Sequence, residues 1–180
     1  MKIVLSAHMD IARPVMSIKM DDKHLIGLVD NFAGIFAAYQ ASRKTGVPVY
    51  FTNYEELDYD GADAVAKTLD KSTIIFVVDT ILAKDLQGKD ASLTNAYGLE
   101  TYWKELKTKF SKNIHFIDSF FEETEDETYI YGKRYRLKTF YFGVPIPGIY
   151  YHSTDLSVDL KTIDMSTSIL VDLINYFQSK

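Results

Sequence analysis

The sequence predicts an α/β domain of three layers, with a mostly parallel or mixed central sheet flanked by helices. Short apolar runs alternate with segments whose apolar residues recur at helical spacing, which is how strands joined through helices read. Thr73 to Val78 is a continuous β-branched and aromatic run, the composition of a strand covered on both faces. The 180 residues fit one domain, 1–180. A chain of that length buries roughly 70% of the surface it exposes when unfolded, so it needs no crosslinks.

Lys2 to Ala7 is expected as a buried strand. Pro14 to Met20 and Lys23 to Val29 read as two arms of a hairpin turned at Asp21-Asp22. Asn31 to Lys44 carries Phe32, Ile35, Phe36 and Tyr39 at helical spacing, with Gly46 just beyond as a stop signal. Val47 to Thr52 follows as a strand, and Asp60 as the cap of a helix whose Ala62, Val65, Ala66 and Leu69 face inward. After Thr73 to Val78, the segment Gly98 to Lys112 sets Leu99, Tyr102, Trp103, Leu106 and Phe110 on one side of a helix, and Asn113 to Ile117 is a strand. The acidic run Glu122 to Glu127 reads as a solvated loop or helix start. Lys138 to Val144 is a strand closed by Pro145 and Pro147, and Asp164 or Ser166 caps a last helix whose buried face carries Ile169, Leu170, Leu173, Ile174 and Phe177.

Composition removes several classes of function. Twenty Lys and Arg stand against 25 Asp and Glu, a formal net charge of −5. With neither basic excess nor basic clustering, nucleic acid and anionic membrane surfaces are not expected partners. Cysteine is absent, which removes disulfides, thiolate nucleophiles and cysteine zinc sites. No apolar run approaches the ~20 residues of a membrane span, and the opening apolar stretch is too short for a signal peptide, so a cytoplasmic address is expected. Neither common spacing of a Gly-rich phosphate loop occurs, nor any repeat or low-complexity tract.

The chemistry-bearing residues gather where strands are expected to end, and in open α/β sheets ligands collect at the carboxyl ends of strands. His8 and Asp10 close the first strand, Asp30 the hairpin, Glu55 and Glu56 the strand ending near Asn53, Asp79 the run Phe76-Val77-Val78, and His152 follows Ile149-Tyr150-Tyr151. Taken singly each has an ordinary reading: Asp30 as a helix cap, the Glu pair as surface, a lone His as structural. Asp79 is the strongest individual case, since a carboxylate at the end of so apolar a strand is costly to bury without a cation. Five segments ending in a carboxylate or imidazole form the ligand set of a divalent metal such as zinc.

Taken together, Ser6-Ala7-His8-Met9-Asp10, Val29-Asp30-Asn31, Tyr54-Glu55-Glu56-Leu57 with Gly61-Ala62, Val77-Val78-Asp79 and Tyr151-His152-Ser153 resemble the motifs of the co-catalytic zinc aminopeptidases. The branch they resemble is the tetrahedral, glutamyl-aminopeptidase type, and the resemblance runs in order over most of the chain, including His152 to Leu160. It implies a zinc-aminopeptidase-like fold and one catalytic domain. It also implies two divalent ions, zinc first with cobalt or manganese as alternatives. Carried over position by position, His8 and Asp79 hold one ion, Glu56 and His152 the other, and Asp30 bridges them. Asp10 orients the His8 ring and Glu55 is the general base. The resemblance further implies a cis peptide bond after Asp30.

The same resemblance implies hydrolysis of a peptide or amide bond, as an aminopeptidase acting on short peptides. Deacylation of an N-acylated small molecule, and a non-catalytic metal-binding or interaction domain on the same scaffold, are the alternatives. The chain departs from the family in starting almost at the first His motif and in having only a hairpin-sized connection where the branch inserts a β-rich assembly domain. Lys2 to Ala7 is therefore expected to lie unshielded and to be covered in a homo-oligomer or by a partner. Tyr129 to Tyr141 matches no substrate-pocket pattern. His24 and His115 are expected in surface or structural roles, and Tyr150 and Tyr151 in packing.

Overall fold

The computed structural model describes residues 1–14, 17–120 and 126–180. The chain runs through β1 (Ile3–His8), β2 (Lys19–Met20), β3 (His24–Gly27), α1 (Phe32–Thr45), β4 (Val49–Thr52), α2 (Asp60–Ala66) and β5 (Ile74–Leu82). A 3₁₀ turn (Ala83–Leu86), β6 (Ala91–Tyr97), α3 (Glu100–Phe110), β7 (Ile114–Phe116), a π-helical turn (Tyr129–Arg134), β8 (Lys138–Ile146), β9 (Leu156–Asp159) and α4 (Leu160–Gln178) complete it. Six strands form a central sheet in the order β4-β1-β5-β8-β6-β7. The first four are parallel; β6 runs antiparallel to β8 and parallel to β7, so the sheet is mixed. β2, β3 and β9 form a separate antiparallel sheet.

Side chains alternate along a strand, and this alternation assigns the two faces of the sheet to different partners. Ile3, Leu5 and Ala7 of β1 and Ile74, Phe76 and Val78 of β5 join the larger core with residues of α1, α3 and α4. The rings of Phe76, Phe140 and Phe177 lie 5.6–5.9 Å apart there. Full burial of each such side chain contributes about 1.5–3 kcal/mol. Val4, Ile75 and Val77 instead join the smaller core with Ala62 and Ala66 of α2 and Ile130 and Tyr131 of the π turn. The same parity carries Ser6, His8 and Asp79 onto this second face. The register Ser6↔Val77, continued two residues, sets His8 beside Asp79.

Several expectations are corrected by tertiary pairing. β1 is fully buried between β4 and β5, because α1 returns the chain along its outer side; β4 and β7 are the sheet edges. β5 continues past Val78 to Leu82 because β8 pairs with it along its whole length, so Asp79 lies within a strand. β8 likewise runs through Pro145, which lies opposite Ile81, before ending ahead of Pro147. The caps shift as well: α2 is preceded by Tyr59 at φ 64°, with Asp60 its first residue, and Leu69 lies beyond its end. α4 starts after Asp159, whose Oδ1 accepts from the Lys161 N–H at 2.8 Å. β6 and β9 escape sequence reading because β6 buries Ser92, Thr94 and Asn95, and β9 is four residues long. Of the acidic run, residues 122–125 lie outside the described residues, whereas Asp126 and Glu127 are buried (2% and 1% exposed). The first hairpin arm reduces to β2, with residues 15 and 16 outside the described residues. Among the described residues no helix is long and apolar enough to cross a membrane.

Candidate metal centre

His8 is the last residue of β1, and its ring is fixed from one side by Asp10. Nδ1 lies 3.1 Å from the Asp10 carbonyl oxygen and 3.5 Å from Asp10 Oδ1. The Asp10 carboxylate does a second job: Oδ1 and Oδ2 accept the backbone N–H groups of Glu55 and Glu56 at 3.1 and 3.0 Å. Burial raises the Asp10 pKa, but these bonds and the one to His8 outweigh it and lower it. Tyr54, at φ 66°, turns the chain after β4, and its carbonyl accepts from the N–H groups of Asp58 and Tyr59. Glu55 and Glu56 are carried on that tight turn.

Asp30 lies three residues beyond β3, joined to Asn31 through a cis peptide bond. It does not cap α1: Asn31 occupies the cap position, and no side chain closes it. Asp30 Oδ1 instead accepts the Thr80 hydroxyl at 2.8 Å, and Asn31 Nδ2 donates to the Val78 carbonyl at 2.9 Å. Both bonds tie the start of α1 to β5. Asp79 Oδ1 accepts the Thr80 N–H at 2.6 Å. His152 sits in the β8–β9 loop, beyond the end of β8, with its side chain 39% exposed.

From these five segments the donor atoms face one another. His8 Nε2 lies 3.4 Å from Asp79 Oδ1 and 3.8 Å from Asp30 Oδ1. His152 Nε2 lies 3.5 Å from Glu56 Oε1 and 3.6 Å from Asp30 Oδ2. Among the described residues three three-donor groups result, His8/Asp30/Asp79, Asp30/Glu56/His152 and His8/Glu55/Glu56, each with its ligand atoms within 4.8 Å, and Asp30 belongs to the first two. Glu55 comes within the same range of His8 and Glu56. These His–carboxylate separations are longer than hydrogen bonds. They fit a shared cation, since two ligands each about 2.1 Å from a tetrahedral ion stand about 3.4 Å apart. The group can hold a metal.

The electrostatics point the same way. Burial, then the charges of Asp79 and Glu56, push the Glu55 carboxyl up to about 9 against the opposing pull of His8. Burial also raises Asp79 and Glu56. Burial would lower the pKa of His8, but the charge of Asp79 and the facing carboxylates of Asp10, Asp30 and Asp79 raise it. So many carboxylates in one desolvated place repel one another, and divalent cations relieve that repulsion.

Sequence reasoning missed the layer beneath. Glu127 Oε2 accepts the Ser6 hydroxyl at 2.7 Å, and Ser6 also bonds Tyr131 at 2.9 Å, two residues before His8. Asp126 Oδ2 accepts from Asn95 Nδ2 at 2.9 Å. The signal available was the apolar Tyr129-Ile130-Tyr131, one residue after the acidic run. Tyr151 does not pack in the core: it lines the cavity of about 730 Å³ over the donors, and Tyr150 is 69% exposed. His24 lies in the small sheet, 3.7 Å from Asp21, and His115 in β7; neither joins the donor groups.

No protein family profile matches the chain, and no curated protein does. Solved structures do. The TET1 peptidase of Pyrococcus horikoshii superposes with a TM-score of 0.60 at 17% identity, over 87% of this chain and 52% of that one. An aminopeptidase from the archaeon Desulfurococcus kamchatkensis gives 0.60 at 16%, over 86% and 50%. Yeast aminopeptidase 1 gives 0.53 at 12%, over 87% and 46%. The fold is the one these aminopeptidase structures share, and the chain spans about half the length of each.

Proposed function

We propose that this chain is a two-cation metallohydrolase that releases the N-terminal residue of short peptides. In this reading His8 and Asp79 would hold one divalent ion and Glu56 and His152 the other, with Asp30 shared between them; zinc is the first candidate. The observation that carries it is the sharing of Asp30 between two three-donor groups of carboxylate and imidazole. Bound there, two divalent cations would polarise the scissile carbonyl and lower the pKa of the attacking water. Glu55, which stands within donor range of His8 and Glu56, would serve as the general base, taking a proton from the attacking water and passing it to the departing amine nitrogen. Asp10 acts through others: it holds the His8 ring and the backbone of the Glu55-Glu56 pair in register. The surplus of carboxylates also suits a substrate with a free ammonium group. Solved structures sharing the fold are described as aminopeptidases or peptidases, which supports the same reaction class.

Assembly into a homo-oligomer belongs to this proposal. The TET1 peptidase of Pyrococcus horikoshii is described as a dodecamer and as able to assemble into a tetrahedron or a large octahedral shell, and yeast aminopeptidase 1 as a dodecamer. Here β4 is an open sheet edge, and Phe51, Tyr54 and Leu57 on or after it are exposed.

Metal analysis of the purified protein, with a panel of aminoacyl amides and their N-acetyl counterparts, tests the reading. About two divalent ions per chain and cleavage confined to free amines are expected. Cleavage of the acetylated series alone would identify a deacylase, and cleavage of neither series would leave a metal-binding domain.

A further inference from the structure

Thr80 commits three polar groups to the candidate centre without being a member of any donor group. It is buried, 1% exposed, and lies at the wall of the cavity over the donors. Its N–H donates to Asp79 Oδ1 at 2.6 Å, and its hydroxyl donates to Asp30 Oδ1 at 2.8 Å. Its carbonyl accepts the hydroxyl of Tyr141, from the neighbouring strand β8. One residue thus touches two candidate ligands that come from distant parts of the chain.

Alternation along β5 explains how it reaches both. Val77 joins the smaller core and Val78 the larger one, so Asp79 points to the first face and Thr80 to the second. The second face is where α1 packs, and Asp30 enters there just ahead of that helix.

The hydroxyl bond limits what the Asp30 carboxylate can do. An ionised carboxylate offers about four lone-pair sites, two on each oxygen. Thr80 occupies one on Oδ1, which leaves one for the side where His8 Nε2 stands 3.8 Å away. Oδ2 faces His152 Nε2 at 3.6 Å. A carboxylate free to turn can give both oxygens to a single cation. Held at Oδ1, it presents one oxygen to each imidazole.

We propose that Thr80 is the positioning residue that makes Asp30 a shared ligand, dividing its two oxygens between the two donor groups. The proposal rests on the two-cation reading and adds to it a residue outside the donor set. Its consequence is selective. Without the hydroxyl a first divalent ion still finds its donors, and the carboxylate can turn toward it with both oxygens. The second ion then loses its share of Asp30.

The test reads metal binding apart from turnover. Zinc titration against a chromophoric chelator, on the full chain stripped of metal, compares wild type, Thr80→Ser, Thr80→Ala and Thr80→Val. Ser and Ala differ by the hydroxyl oxygen alone, so that pair decides the matter even where Thr80→Val does not fold. Partners of ligand residues commonly govern about 10–100-fold of metal affinity. We expect Thr80→Ala and Thr80→Val to weaken the second zinc by about tenfold or more. The first zinc should change little, and Thr80→Ser should hold both near wild type. Electron paramagnetic resonance of the cobalt-loaded chains gives a separate signature. Two ions coupled through a shared carboxylate give less signal per cobalt, so the signal should rise in Thr80→Ala and stay low in Thr80→Ser.

A second zinc held as tightly by Thr80→Ala as by Thr80→Ser overturns the proposal, and so does equal weakening of both zincs, which would mark a general structural loss. Wild type holding a single zinc removes the two-cation reading and the proposal with it. Two zincs indifferent to Thr80 remove the proposal alone. Two zincs with the Thr80 dependence but no peptide cleavage leave the proposal standing and remove the peptidase.

Discussion

Glu55 and Glu56 are adjacent in the chain yet differ in surroundings, Glu55 being buried and Glu56 more open and within reach of His152. Their proposed roles separate in the same way. Glu55→Gln is isosteric and leaves the donors in place, so hydrolysis should fall by about 10²–10⁴-fold while metal content stays near that of wild type. Asp30→Ala should instead lower the content of both ions together. Elemental analysis beside peptide hydrolysis decides this, and equal metal loss in the two variants would show the division of roles to be wrong. The residues carrying the candidate chemistry could be read from the sequence as types at positions. Asp126 and Glu127 could not, because an acidic run is ordinarily solvated, and only packing of the π turn against the sheet buries them.

Elements position the site through close backbone approach. Gly61, in the first turn of α2, donates its N–H to the Asn53 carbonyl at 3.0 Å. A Cβ there would stand 2.4 Å from the backbone N and O of Asn53, with no flexible side chain to yield. Gly61→Ala should therefore cost about 1–3 kcal/mol. Urea unfolding should record that loss, and zinc titration a weaker affinity, because the strand end it displaces leads directly into Glu55 and Glu56. Loss of stability with unchanged zinc affinity would show that α2 does not position the pair. At this scale the sequence is a fair guide to where strands and helices lie, since apolar periodicity is local. It is a poor guide to where they stop: β5 and β8 extend each other by pairing, and no local pattern marks that.

For the molecule as a whole, the acid groups buried behind the sheet set a pH dependence. Burial, joined by the charges of Asp79 and Glu127, holds the Asp126 carboxyl up at about 7 against the stabilising bonds from Thr128. The fold favours the protonated form, so this group's contribution is full below its ordinary value near 4 and is lost as pH rises through about 7. Unfolding free energy should fall by up to about 4 kcal/mol across that window from this residue. Asp126→Asn, neutral throughout, should flatten the slope in urea titrations at pH 5 and pH 8; an unaltered slope would assign the dependence elsewhere. Assembly is the other property of this scale. Light scattering at micromolar concentration should give a multiple of the chain mass, with an interface burying at least about 1,000 Å². A monomer with full peptidase activity would remove the need for a partner.

By itself the sequence determined the α/β class, the order of most elements and the identity of the candidate donors, because periodicity and residue chemistry are properties of short segments. Only the tertiary structure decided what those donors face. Asp79 lies in mid-strand, His152 in a loop beyond β8, and Asp30 comes near both imidazoles through a turn whose neighbours are anchored on β5. The burial of Glu127 was likewise decided by packing. The reason is physical: distance and desolvation arise from contacts between residues far apart in the chain, which no local pattern records.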